Sequence, residues 1–358
     1  MKLDKSSSDK TILVAPLHWG LGHATRCIPI IQSLLNNDFD VMIGSDGAAL
    51  LLLQKEFPKL RFVELPSYEI TYPRKGFLFK WRLMLNTPRI RKAMGEESRI
   101  VDDLVKEGRI QGIISDNRLG VHHTEVPAVF LTHQLNVLSG STSMISSKMH
   151  RQIIRKFDQC WIPDLEGPVN LSGKLGHLPK HSLNLKYIGP LSRMVKRDLP
   201  IKYDILVLLS GPEPQRTLLE VKMLELFDNT EQQVLLVRGV IKESSNYHQK
   251  NNLTIVDFMQ TKELEEAINQ SRLVISRSGY TTIMDLAALE KPAFFIPTPG
   301  QYEQKYLATQ LRDKGLVPSC SQDQFNLKKL DKVKTYRGLK GIRSDFDLGS
   351  LFGLFQGK

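Results

Sequence analysis

Cysteine is scarce in this chain. Cys27, Cys160 and Cys320 are the three present, odd in number and far apart, so they form neither a disulfide framework nor a zinc spacing, and a cytoplasmic location is expected. Long apolar runs are missing too. Nothing approaches the roughly 20 residues needed to span a bilayer, so the chain is not expected to be an integral membrane protein. The first apolar run, at 11–17, leads straight into glycines and is too short for a secretory h-region; it reads as a buried strand. Low-complexity tracts and internal repeats are absent, and 41% apolar with 24% charged residues describes a folded soluble chain rather than a disordered one. Acidic residues are in deficit, 38 against 49 basic, for a formal charge of +11. Such an excess suits polyanions in general, whether nucleic acid, an anionic bilayer or phosphorylated ligands. Because no RNA- or DNA-binding motif accompanies it, no nucleic-acid partner is expected.

What is present is an alternation of short apolar runs and helix-period segments. At 358 residues the chain exceeds one ordinary α/β core and fits two domains. Strands are expected at 11–15, 40–44, 61–65, 112–115, 128–132, 159–163 and 186–188, with helices such as 24–36 and 48–56 between them. A break follows at Gly189-Pro190-Leu191-Ser192-Arg193 and the charged stretch 194–202. The pattern then restarts at 204–209, 233–237, 253–256, 272–275 and 293–296. The reading is an α/β protein with a domain over 1–194, a second over 195–330, and a tail over 331–358 that could fold back on the first. Each domain is expected to be a doubly wound, Rossmann-like parallel sheet. In such sheets ligands bind beyond the carboxyl ends of the strands, so a cleft between the two domains is the expected site.

The richest segment runs from Ile275 to Gln304. It leaves a buried strand and turns through Arg277, Ser278 and Gly279 into a helix, whose free amides and dipole favour an anion. Asp285, further along, offers a carboxylate whose two oxygens can accept both hydroxyls of a ribose diol. Glu303 and Gln304 follow the next strand, placed to read sugar hydroxyls. Each feature alone is equally an N-capped helix or a polar loop; the combination points to a donor site.

This segment resembles the donor-binding signature of glycosyltransferase family 28, whose members have the GT-B fold of two facing Rossmann-like domains. The resemblance implies a UDP-sugar held mainly by the second domain, no other cofactor and no essential metal. Asp285 takes the place of the family's ribose-binding glutamate. Ser278, Gly279, Thr281 and Thr282 match the loop and helix start beside the donor, and Glu303 and Gln304 match the donor-sugar pair. Phe258 falls where the family's backbone pairs with uracil, and Arg193 matches a phosphate-contacting arginine at the linker. Two departures stand out. Asp285 is one methylene shorter than glutamate, and the phosphate loop reads Leu209-Ser210-Gly211-Pro212-Glu213. In that loop Ser210 and Gly211 keep the pattern, Pro212 removes an amide and Glu213 adds a negative charge.

In the first domain, Gly20-Leu21-Gly22-His23 also resembles the family's glycine-rich loop ending in histidine, with Gly20 and Gly22 allowing close backbone approach to the donor. A dinucleotide fingerprint would need a further glycine, although Asp46 could supply its acid. His23 can take the proton of an attacking hydroxyl, while His18 is read as structural. Asp116 and His133, at predicted strand ends, are reserve candidates for the base or simple helix caps. His122, His123 and Glu125 match no common metal spacing, and no Asp-x-Asp motif occurs.

Residues 72–92 mix large apolar side chains with seven cations. Two readings remain: a surface for an anionic membrane, or a core helix with a solvated basic face. The functional expectation is an inverting transferase moving a sugar, an N-acetylhexosamine by resemblance, from a UDP-sugar to an acceptor that is unidentified, lipid-linked or part of the cell envelope. A non-hydrolysing UDP-sugar epimerase and a catalytically silent nucleotide-sugar binder are the alternatives.

Overall fold

A computed structural model describes residues 10–68, 79–138, 140–179, 181–228, 230–240, 246–342 and 346–357; side chains at 79–87 and 141 are outside this description. The expected N-terminal strand is β1 (Thr11–Pro16), buried along its whole length. It pairs in parallel with β2 (Asp40–Ser45) on one side and β4 (Gly112–Asp116) on the other. With β3 (Arg61–Glu64), β5 (Ala128–Leu131), β6 (Gln159–Ile162) and β7 (Leu185–Tyr187) they form a seven-stranded parallel sheet in the order β3-β2-β1-β4-β5-β6-β7. Continuous apolar strands fit a sheet covered on both faces by helices. On those faces lie α1 (Gly22–Asn36), α2 (Gly47–Glu56), α3 (Phe79–Lys106) and α4 (Ser143–Ile154).

The second sheet runs β10-β11-β9-β8-β12-β13, built from β8 (Tyr203–Leu208), β9 (Val234–Val237), β10 (Tyr247–Lys250), β11 (Leu253–Val256), β12 (Ser271–Ser276) and β13 (Ala293–Phe295). Its pairings are parallel except β10 with β11. Its helices are α5 (Gln215–Phe227), α6 (Thr261–Asn269), α7 (Tyr280–Ala288) and α8 (Tyr302–Asp313). The expected strands recur within a residue or two of their bounds. β10 is the addition: Tyr-His-Gln-Lys is exposed at all four positions and carries no apolar alternation for a pattern search to find.

Residues 188–202 link the sheets. Beyond α8 the chain makes a 3-10 turn, Leu327–Thr335, whose Leu327, Leu330 and Val333 pack on the second sheet's core. It then crosses back. A second 3-10 segment, Leu348–Phe355, sets Phe352 and Phe355 edge-on against Phe39, with ring centroids 5.8 and 6.4 Å apart, and both lie against Trp161. Lys10 Nζ donates to the Phe355 carbonyl at 2.8 Å. The tail thus straps the first domain to the second, and one apolar core runs from α1 through α7 into the tail.

Both sheets reverse strand order at a defined place, between β1 and β4 in the first and between β8 and β12 in the second. Chain ends leaving such a reversal diverge and open a crevice. The loops at these two switch points carry most of the site residues singled out from the sequence.

Candidate active site

After β1 the chain turns through Gly20, whose φ of 80° lies in the left-handed region that glycine enters without strain. It enters α1 at Gly22, and no described side chain caps that helix start. His23 and Arg26, three apart on α1, share a helix face. Both reach Asp116 at the end of β4. His23 Nδ1 lies 2.8 Å from Asp116 Oδ1, Arg26 Nε donates to Oδ2 at 2.6 Å, and Arg26 NH2 donates to Oδ1. Burial alone would raise the Asp116 pKa; the charges of Arg26 and His23 overcome it and hold the carboxyl well below the usual range. His23 Nδ1 also lies 2.9 Å from Arg26 NH2; in the tautomer whose Nδ1 proton goes to the ionised Asp116, Nε2 is the basic nitrogen. That ring is 15% exposed, so Nε2 is not sealed in.

The network continues across the domain boundary. Arg26 NH1 donates to His133 Nδ1 at 2.9 Å, which places the His133 proton on Nε2, and Nε2 donates to Glu303 Oε1 at 2.8 Å. Gln134 Nε2 donates to the other Glu303 oxygen. His133 also stacks flat on Tyr280, centroids 4.2 Å apart and planes within 3°. Burial, with Arg26 and His23 adding to it, lowers the His133 pKa against the pull of Glu303. His133 is therefore a neutral relay with both nitrogens engaged, whereas His23 keeps Nε2 available.

The second domain meets this loop with α7. Ser278 Oγ donates to the Gln304 carbonyl at 2.8 Å, and Gln304 Oε1 accepts from Thr298 N at 2.8 Å. These bonds hold the loops after β12 and β13 together. Gly279 is the N-cap of α7 in extended geometry, and no described side chain caps the helix, so the first amides face outward with the dipole behind them. Thr281, in the first turn, donates from Oγ1 to the Gly22 carbonyl at 2.9 Å. A Cβ on Gly22 would lie 3.1 Å from Thr281 Oγ1, a tight contact that would press on this bond. Thr282 follows on the same turn. The first turns of α1 and α7 thus touch, with His23 next to the contact.

Asp285, at the far end of α7, points to the linker. Ser192 Oγ donates to its Oδ1 at 2.7 Å. Burial raises its pKa to about 6, only partly offset by Arg193 and Ser192. Arg193 is buried, which lowers its pKa, and its NH1 donates to Thr261 Oγ1 at 2.8 Å. Phe258 is half-buried in the loop between β11 and α6. Ser210 and Gly211 lie in the loop after β8. Glu213, in the same loop, is bound by Arg216 Nε at 2.7 Å, so its charge folds back onto α5.

Arg277 is placed differently from the rest. It is fully buried and donates to the carbonyls of Ile296, Pro297 and Gln215 and to Gln322 Oε1. It braces the strand ends from inside the domain rather than facing the cleft. Residues missed from the sequence are Arg26 and Glu56. Arg26 left one signal, a cation inside the apolar stripe of α1. His18 pairs with Asp46 at 3.1 Å, and Asp46 is held in turn by the buried Arg118, which also binds Glu97 at 2.8 Å. His122 packs edge-on against Phe157 and His123 approaches Asp102. Residues 72–78 of the basic segment lie outside the described residues; from Phe79 the backbone is the start of α3. No described helix is long and apolar enough to cross a membrane.

Residues 205–336 match the glycosyltransferase family 28 C-terminal domain, the span that holds the β8, β12 and β13 loops. The chain is 25% identical to an uncharacterized glycosyltransferase of Methanosarcina mazei, covering 92% of this chain and 93% of the relative. It is 23% identical to the UDP-N-acetylglucosamine--N-acetylmuramyl-(pentapeptide) pyrophosphoryl-undecaprenol N-acetylglucosamine transferase of Haemophilus influenzae, covering 84% and 82%. Its fold is similar to the crystal structure of MurG from Acinetobacter baumannii, with a TM-score of 0.52 at 15% identity over 97% and 95% of the two chains. With two Rossmann-like sheets meeting at their switch points and a second half that matches the family 28 C-terminal domain, the chain is a glycosyltransferase of GT-B fold, similar to MurG.

Proposed function

We propose that the chain is an inverting UDP-sugar transferase, that the sugar is an N-acetylhexosamine, and that the acceptor presents a hydroxyl on a lipid-linked or cell-envelope molecule. The observation that carries the reading is the His23–Asp116 pair set beside the uncapped start of α7. His23 Nε2 takes the acceptor proton as the oxygen attacks the anomeric carbon, and Asp116 stabilises the imidazolium that forms. The bond to the nucleotide diphosphate breaks as the new glycosidic bond forms. The leaving charge then falls on the α7 amides, which need no reorientation to receive it.

Asp285 is assigned to the ribose hydroxyls, Phe258 to the uracil side, and Arg193 with Ser210-Gly211 to the diphosphate. Glu303 and Gln304 are assigned to the sugar, and Gly20 and Gly22 to the close backbone approach beside it. His133 serves as a positioning residue that holds Glu303. The protein works in the cytoplasm at the membrane face, and the cationic 72–92 segment supplies contact with anionic lipid.

A thermal-shift and turnover screen against UDP, GDP, TDP and ADP sugars tests this. Stabilisation by UDP-sugars, with slow hydrolysis when water replaces the acceptor, is the expected result. Stabilisation by no nucleotide overturns the donor assignment, and formation of an epimer in place of hydrolysis overturns the transferase in favour of an epimerase.

A further inference from the structure

Glu56 is the last residue of α2 in the first domain. A carboxylate there faces the negative end of its own helix dipole, a position that favours a cation. Its partners all come from elsewhere. The main-chain N–H of Thr261, at the amino end of α6 in the second domain, donates to Glu56 Oε1 at 3.0 Å, and the Thr261 hydroxyl donates to the same oxygen. Arg193 NH1, from the linker, lies 3.6 Å from that oxygen and donates to Thr261 Oγ1.

A guanidinium, a helix-start amide and a hydroxyl converging on one oxygen form an anion site. Here the anion is the protein's own. The Arg193 side chain is 5% exposed, and its buried Nε has no hydrogen-bond partner among the described residues. An unpartnered guanidinium N–H in that position is costly, and neither Glu56 at 3.6 Å nor the nearby charge of Asp285 supplies it with a hydrogen bond.

Resting on the donor site proposed above, we infer that Glu56 is an internal, displaceable carboxylate seated where a phosphate of the UDP-sugar binds. In this state the first domain closes over the second through Glu56. An incoming diphosphate, with more oxygens and more charge, takes the Thr261 amide and the Arg193 donors, and Glu56 is released to solvent. Empty closure and donor loading then exclude each other, and Glu56 sets how strongly the nucleotide must bind to open the cleft.

The test uses the full chain with UDP and uridine as probes. Glu56→Gln keeps the shape but removes the charge, and it should bind UDP about tenfold more tightly than the wild type by calorimetry while uridine affinity stays unchanged. Glu56→Asp, whose carboxylate falls short of Thr261, should fall between the two. In the wild type, UDP should raise amide exchange at the end of α2 and lower it at the start of α6, a readout that needs no variant. Equal or weaker UDP binding by Glu56→Gln, or no change in α2 exchange on UDP addition, overturns the inference. Failure of every form to bind either probe overturns the donor assignment itself, and this inference with it.

Discussion

The two switch points solve different electrostatic problems. At the first, after β1 and β4, the side chains are charged and tightly paired: Arg26 with Asp116 and, one layer behind, Arg118 with Asp46 and Glu97, all buried. At the second, after β8, β12 and β13, main-chain amides, hydroxyls and the Gln304 amide predominate, and the one carboxylate, Glu303, is tied across the boundary to His133 and Gln134. Its arginine at the strand end, Arg277, is turned inward onto carbonyls, where burial brings its pKa down to about 10. A proton acceptor needs a fixed charge behind it, and a buried charge survives only when paired. A departing diphosphate needs the reverse, neutral dipoles that gain strength when charge arrives. The contrast is what a division between acceptor chemistry and donor binding would require.

The largest expected effect tests the first half of that contrast. His23→Ala should lower turnover by about 10²–10⁴-fold, the usual contribution of a positioned general base, while UDP affinity measured by calorimetry stays within about twofold. Turnover left intact would remove His23 from the mechanism. Arg26→Met should destabilise the fold by about 3–5 kcal/mol in urea denaturation, because it strands Asp116 as a buried, under-paired charge. A loss below about 1 kcal/mol would mean that His23 satisfies Asp116 alone.

Asp285 sharpens the second half through pH. Its folded pKa of about 6 lies above the unfolded value near 3.9. The folded chain therefore holds the proton more tightly, and Asp285's contribution is largest below about pH 4 and declines as pH rises to 6. Asp285→Asn should raise the melting temperature of the ligand-free protein at pH 8, by a stability of about 2–3 kcal/mol, and lose that gain near pH 4. UDP affinity of the wild type should fall as pH drops through 6, since a protonated carboxyl no longer accepts both ribose hydroxyls. An Asn variant that binds UDP as well as the wild type at pH 8 would remove Asp285 from the ribose.

The smallest effect belongs to the contact between the halves. Thr281→Val deletes the bond to the Gly22 carbonyl and should cost about 1 kcal/mol, read as a lower melting temperature. No shift would show that the helix starts meet without needing that bond.

Much of this was legible beforehand, for identifiable reasons. The parallel strands announce themselves because a strand covered on both faces must be apolar along most of its length, as 12–15, 113–114 and 293–296 are. The loops at the switch points follow from the strands. Asp116, Ser278 and Glu303 stand out as polar groups following strand ends, and His23 because Gly20-Leu21-Gly22-His23 resembles the family's glycine-rich loop. β10, Arg26 and Glu56 do not. β10 is an exposed edge strand without alternation, Arg26 lies in the middle of a helix pattern, and Glu56 looks like any acidic residue at the end of a half-buried helix. Arg277 is the converse, a residue in the right segment whose direction no local pattern gives.

From its sequence alone this chain determines the alternation of strand and helix, the break near residue 190, and the set of residues at the carboxyl ends of the strands. Those depend on local periodicity and on glycine's freedom to turn, which act over a few residues. The tertiary structure alone decided which charges meet. Asp116 is 90 residues from Arg26, His133 is 170 from Glu303, and Glu56 is 205 from Thr261. Pairing of that kind is set by how two sheets and a returning tail pack together.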